Sequence, residues 1–306
     1  MKPEYFNTMT NNFYGAYYEN SQYCNRGIIL MFGDKIDDLM VKTGVRWLHR
    51  NGCNVMAMAS DTKDYAYHDY PIESFEKAID VLKSKGNVKF GIIGASTTAM
   101  IALAAASFIS DITLTVALSP SDFIMEGFYR DGLDGARERP GNNESTLTYK
   151  GKRLPYLPFA YRHPEYWQKL QEEAKRRGDM AAARDMFDLS EKKYNLTEDM
   201  KIKVERIKGK LVLIGAEDDS LWDTCRYINR ITDRLKNTTH VCKTAKLVYE
   251  YGSHFVLPQS MLESILPFGL SALLRFTFKT LRDHPKECKQ TRIDIDRRLR
   301  RIIQSW

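Results

Sequence analysis

None of the five cysteines (Cys24, Cys53, Cys225, Cys242 and Cys288) forms a C-x-x-C pair. An odd number of cysteines spaced so widely supports neither a disulfide framework nor a zinc site. No stretch approaches the roughly 20 consecutive apolar residues that a membrane span requires. The opening MKPEYFNTMTNNFYG has no basic segment followed by an apolar one, so no secretory leader is read there and the expected location is cytoplasmic. Charge of one sign is also scarce: 46 Lys and Arg against 39 Asp and Glu leave a net +7, too mild to argue for a nucleic-acid partner. No motif calls for a cofactor or a metal, and no feature fixes an oligomeric state. With 43% hydrophobic and 28% charged residues, the 306-residue chain has the composition of an ordinary globular protein.

What is present is alternation. Gly27 to Phe32 (GIILMF) is a continuous apolar run suited to a strand buried on both faces. A helix follows from Lys35, with Ile36, Leu39, Met40 and Trp47 on one side and Asn51-Gly52 closing it. Cys53 to Ala59 is a second strand. Pro71 suits the first turn of a helix whose apolar face is Ile72, Phe75, Ile79 and Leu82. Phe90 to Ile93 and Ile112 to Leu118 are further strands, separated by a small-residue helix from about Ala99 to Ile109. With no hairpin signal among them, these elements predict a parallel sheet wound by right-handed crossovers.

The alternation stops between about 120 and 205. A structureless loop of that length is uncommon inside a compact domain, so this stretch is read as an inserted cap with helices of its own. Its Lys- and Arg-rich run QKLQEEAKRRGDMAAARDMF is read as a solvated helix face. Alternation resumes with KLVLIG from Lys210, a helix carrying Cys225, Ile228 and Leu235, and a strand from Ala245 to Glu250. Met261 to Phe278 predicts a core helix. Ile295, Leu299, Ile302 and Trp306 predict a terminal helix docked by its apolar stripe, with Arg297, Arg298, Arg300 and Arg301 turned away. Residues 1 to 26 are expected to pack on the domain without a clear role. The fold class expected is α/β: one domain over 1–306, with a largely parallel central sheet flanked by helices and a cap at 120–205.

The stretch KFGIIGASTTAM (Lys89 to Met100) carries the chemistry. A serine at the hinge between a buried strand and a buried helix is a nucleophile elbow, where a strained turn lifts the side chain above the sheet. The pattern G-x-S-x-G is met at Gly94 and Ser96 and broken at Thr98, whose branched side chain must find room where glycine is usual. A serine is a weak nucleophile until a base takes its proton and a third group orients that base. Asp218 and Asp219 follow the strand at 210, and His254 follows the last strand. Ser, Asp, His is the order of the α/β-hydrolase fold, each at the carboxyl end of a predicted strand, where open α/β sheets bind ligands. The oxyanion hole would take one backbone N–H from Thr97 and a second from Gly33 or Asp34.

Five stretches carry a resemblance. They are the strand–helix pair at 27–59, FGIIGASTTAMIALAAASFISDITLTVALS, YKGKRLPYLPF, GAEDDSLW and YEYGSHF. In these the chain resembles the C-terminal α/β-hydrolase domain of the acyl-CoA thioesterase and bile acid-CoA:amino acid N-acyltransferase family, from about residue 27 to the C-terminal helix. The resemblance implies Ser96 as nucleophile, His254 as base and Asp219, three residues before Trp222, as the acid. It also implies water as the acyl acceptor, because the amino-acid-conjugating members carry cysteine where Ser96 stands. The chain departs from the family at Thr98 and in Phe32-Gly33-Asp34-Lys35, which replaces a glycine-rich loop. The 26 residues before the first matched strand are also too few for the N-terminal β-rich domain of eukaryotic members.

The expected function is that of a serine hydrolase cleaving acyl thioesters of the acyl-CoA type, or related esters, through an acyl-enzyme. Its expected partner is the small-molecule substrate. The alternatives are a carboxylesterase- or peptidase-like hydrolase, or a degenerate hydrolase fold kept as a binding module. Tyr149, Leu154, Tyr156, Leu157 and Phe159 are expected to line the acyl site.

Overall fold

The computed structural model describes residues 2–32, 35–61, 66–133, 138–264 and 274–306. In chain order the first part comprises β1 (Glu4–Phe6), α1 (Thr8–Asn11), β2 (Gly15–Tyr18), β3 (Arg26–Met31), α2 (Leu39–Arg50), β4 (Asn54–Met58), β5 (Tyr70–Pro71), α3 (Glu73–Ser84), β6 (Lys89–Ala95), α4 (Thr97–Phe108) and β7 (Ile112–Leu118). Then come β8 (Glu126–Tyr129), β9 (Arg139–Ser145), β10 (Leu147–Tyr149), β11 (Lys152–Arg153), α5 (Tyr166–Arg177) and α6 (Arg184–Tyr194). The chain finishes with β12 (Lys210–Ala216), α7 (Thr224–Lys236), β13 (Lys243–Tyr249), α8 (Gln259–Glu263), α9 (Lys279–Asp283) and α10 (Pro285–Gln304).

Eight strands form one sheet in the order β1-β2-β4-β3-β6-β7-β12-β13. From β4 to β13 every neighbouring pair is parallel, as the crossovers predict. The outer strands differ: β1 and β2 form an antiparallel hairpin, and β2 adds antiparallel to β4. The leading segment thus extends the sheet, where the sequence suggested only surface packing.

Successive side chains of a strand point to opposite faces, so a strand of continuous apolar sequence feeds two cores. In β3, Ile29 and Met31 join the layer of α3, α4 and α7, while Ile28 and Leu30 join that of α2 and α10. β12 divides Leu211 and Leu213 from Val212 and Ile214 in the same way. Ile295, Leu299 and Trp306 of the terminal segment are buried, while Arg297, Arg298 and Arg301 are exposed. Each such side chain buried contributes about 1.5–3 kcal/mol, which commits the stripe to docking. The Trp47 indole N–H donates to Asp296 at 2.9 Å and ties α10 to α2.

Two local expectations are revised, and the inserted stretch holds strands beside the helices expected of it. Pro71 lies in β5, paired with β10, and α3 begins only at Glu73. The Gly- and Asn-rich stretch at 139–145 is a strand paired with β8. The single helix expected over Met261–Phe278 is not seen in its described parts: α8 ends at Glu263, Phe276 is exposed, and 265–273 lie outside the described residues. No described helix is long and apolar enough to cross a membrane.

Between β7 and β12 the chain leaves the main sheet. β8 pairs with β9, β10 and β11 form a small sheet with β5, and α5 and α6 follow. α6 is fastened to α7 by ion pairs. Arg226 reaches Asp188 at 2.5 Å, and Arg230 reaches Glu191 and the buried Asp122, each at 2.6 Å.

Candidate active site

β6 ends in the turn that holds Ser96. Its backbone stands at φ 61° and ψ −130°, a conformation costing a non-glycine residue on the order of 1–3 kcal/mol. Gly94 makes the turn possible, since a Cβ there would come within 2.1 Å of the Thr98 carbonyl oxygen. α4 starts at Thr97 without a side-chain cap, so the Thr97 amide is among the helix's first N–H groups, which have no intrahelical acceptor.

Thr98 has found its room. It is fully buried, and its hydroxyl donates to the Met31 carbonyl at 2.6 Å while accepting from the Ala95 amide at 3.0 Å. The side chain thus bridges the end of β3 and the elbow, where glycine would leave both groups to the strand ladder alone. Replacing Thr98 by Val keeps the shape and removes both bonds. The expected result is a loss of about 1–3 kcal/mol in urea unfolding, restored by Thr98→Ser and not by Thr98→Gly.

The two aspartates after β12 turn to different partners. Asp218 accepts from the backbone amides of Gly252 (3.1 Å) and Ser253 (2.8 Å) and from the Thr280 hydroxyl, fixing the loop that carries His254. Burial raises its pKa, opposed by these hydrogen bonds. Asp219 faces His254 itself, with Nδ1 at 2.8 and 3.0 Å from its two oxygens, and both residues are buried. Asp219 is held in turn by the Leu221 amide at 2.9 Å and the Thr224 hydroxyl. An ionised carboxylate only accepts, so the neutral imidazole keeps its proton on Nδ1 and its lone pair on Nε2.

His254 Nε2 is buried and makes no hydrogen bond, and none joins it to Ser96 Oγ among the described residues. The end of β7 connects the two segments. The Ser96 amide donates to Leu118 O at 2.8 Å, and the Ser119 hydroxyl donates to His254 O at 2.9 Å. Trp222 stands edge-on to the imidazole at 4.7 Å and anchors its indole N–H on Ser119 O at 3.2 Å. Gly33 and Asp34, the expected source of a second oxyanion donor, lie outside the described residues.

A cavity of about 220 Å³ opens in front of Ser96 and Thr97. Its wall is apolar and aromatic, with Phe128, Phe159, Leu170, Met186, Phe187 and Trp222 prominent. Of the five residues expected to line an acyl site, Phe159 alone is on the wall of this cavity. Buried Glu126 holds it by accepting the Phe159 amide at 2.7 Å, and pairs with Arg162 at 2.5 Å.

The other four serve packing. Tyr149 lies against Phe108, ring centroids 4.5 Å apart, at the far end of α4 from Ser96. With 12 residues in that helix, the separation is about 17 Å. Leu154 is tied to Leu147 through its backbone, Tyr156 packs on the edge of the core, and Leu157 is paired by its backbone with Ile124 and Glu126. The cavity wall missed from sequence is α5 and α6. Its signal was Tyr166, Leu170 and Ala174 at helical spacing, inside a run whose lysines and arginines drew attention first.

The sequence matches the family model described as "BAAT / Acyl-CoA thioester hydrolase C terminal" over residues 70–261. The chain belongs to that family. The matched range contains the elbow, both aspartates and His254; β3 and the loop after it precede it. Among curated relatives, acyl-coenzyme A thioesterase 1 of Rattus norvegicus is 26% identical over 243 residues, covering 76% of this chain and 49% of that protein. The mitochondrial acyl-coenzyme A thioesterase 2 of Mus musculus is 26% identical over 245 residues, covering 76% and 45%. The chain thus spans about half the length of the curated relatives it matches. A Mycobacterium tuberculosis puromycin-hydrolyzing peptidase is similar in fold, with a TM-score of 0.51, 13% identity and coverage of 92% of this chain and 39% of that one. The fold is that of the α/β hydrolases.

Proposed function

We propose that this family member hydrolyses acyl thioesters of the acyl-CoA type, or related esters, by nucleophilic catalysis from Ser96. The observation that carries the reading is the buried His254–Asp219 pair, whose bare Nε2 belongs to the same strand-end cluster as the strained Ser96 turn and its apolar cavity.

In this mechanism Ser96 Oγ attacks the thioester carbonyl as its proton passes to His254 Nε2, and Asp219 stabilises the imidazolium that forms. The oxyanion receives the Thr97 N–H at the head of α4, where the helix dipole also favours negative charge. Collapse expels the thiolate, which leaves as the thiol with the proton from His254, and an ester remains on Ser96. Water, deprotonated by the same Nε2, attacks that ester; collapse releases the carboxylic acid as the proton passes from His254 back to Ser96 Oγ. The acyl chain occupies the cavity under α5 and α6, with the segment between β7 and β12 acting as the cap.

The test is thiol release from short-, medium- and long-chain acyl-CoAs, run beside p-nitrophenyl esters. Turnover of thioesters above the buffer rate is expected. Turnover of the esters alone would make the chain a carboxylesterase, and turnover of neither would leave the fold a binding module.

A further inference from the structure

The cavity that opens at Ser96 is apolar with one charged exception: among the described residues, Glu138 is the sole ionisable carboxylate or cation on its wall. Glu138 is half-buried and lines the cavity. It makes no hydrogen bond or ion pair with another described residue. An isolated carboxylate removed from water is costly to keep unless something pairs with it. That cost is visible as a pKa raised by burial and offset only in part by the Arg130 guanidinium. Tyr166, on the same wall, is close enough for Glu138 to disfavour ionisation of its phenol.

Glu138 immediately precedes β9, and α5 packs against β9. The carboxylate therefore belongs to the wall that the segment between β7 and β12 supplies, whereas Ser96 and Thr97 stand at the end of the sheet. A plain alkyl chain lying between them would seal Glu138 from water with no hydrogen-bond partner among the described residues. We propose that the acyl group taken by this cavity carries a hydrogen-bond donor at its distal end, a primary amine or a hydroxyl, and that Glu138 receives it. Such a donor completes the carboxylate's hydrogen bonding, and a cationic amine also neutralises its charge. The aromatic side chains of Phe128, Phe159 and Tyr166 on the same cavity wall suit a cation equally.

This inference rests on the hydrolase reading and is tested by selectivity within it. Acyl-CoA series of equal length are compared with a methyl, hydroxyl or amino group at the chain end, and the ratio of kcat/KM to that of the methyl series is measured for the wild type, Glu138→Gln and Glu138→Leu. A hydrogen bond to a charged group discriminates by about tenfold or more. The wild type should therefore favour the amino and hydroxyl chains by about that factor at the lengths that reach Glu138. Glu138→Gln should lose the amino preference while keeping part of the hydroxyl one, and Glu138→Leu should favour methyl. Each variant supplies its own reference series, so a poorly folded Leu variant leaves the Gln variant to decide. A wild type that prefers methyl at every length, or ratios that both variants leave unchanged, would overturn the assignment of Glu138. Absence of turnover on all series would overturn the hydrolase reading, and this inference with it.

Discussion

Asp219→Asn is expected to lower kcat by about 10⁴, the loss seen when the orienting aspartate of a serine protease is replaced in the same way. The side chain keeps its shape, but an amide next to His254 Nδ1 can donate as well as accept. Donation to Nδ1 moves the ring proton to Nε2 and removes the lone pair that must receive the serine proton. Asp219 is also locked by the Leu221 amide and the Thr224 hydroxyl, so the substituted residue would stay beside the ring. Asp218→Asn should behave differently. Its remaining carbonyl oxygen can still accept from Ser253 or Gly252, so the expected cost is about 1 kcal/mol of stability, with kcat far less affected. Steady-state kinetics and urea unfolding on the two variants check both halves. A larger kcat loss for Asp218→Asn would reverse the roles assigned here.

Ser96→Ala is expected to reduce turnover by about 10⁶, the scale on which removing a serine nucleophile acts in a serine protease. The turn itself should tolerate the change. Ser96 Oγ caps nothing in α4, and the bond that holds the turn, Ser96 N to Leu118 O, belongs to the backbone. Folding stability should thus stay near that of the wild type while acyl-enzyme formation stops. Residual hydrolysis would then reflect binding and the Thr97 amide acting on water alone. Single-turnover assays with a medium-chain acyl-CoA measure this without interference from slow deacylation.

Much of the scaffold was legible because its parallel strands are apolar on both faces. β3, β6, β7 and β12 each read as buried runs, and their order in the chain required crossovers. The hairpin β1–β2 escaped because Tyr- and Asn-rich sequence has no apolar run and its pairing partner, β4, lies far along the chain. Adjacent aspartates are equivalent in sequence, and the residues alone did not separate Asp218 from Asp219. Only the turn after β12 shows that one carboxylate grips the histidine loop and the other the histidine. Thr98 stood out as a departure because the elbow pattern assumes glycine; that its hydroxyl bridges Met31 and Ala95 depends on a strand 67 residues away. The apolar wall was sought in the Tyr- and Pro-rich stretch 149–159; small-sheet pairing of β10 with β5 draws its start, Tyr149, to the far end of α4, and only its last residue, Phe159, lines the cavity.

The central claim is that Ser96 is activated by His254 and forms a covalent acyl intermediate. The most direct measurement is labelling with a fluorophosphonate followed by mass-spectrometric mapping of the modified peptide. The account predicts one adduct, on Ser96, abolished by Ser96→Ala and slowed severely by His254→Ala. An unlabelled wild type, or an adduct on another residue with Ser96→Ala still labelled, would contradict it.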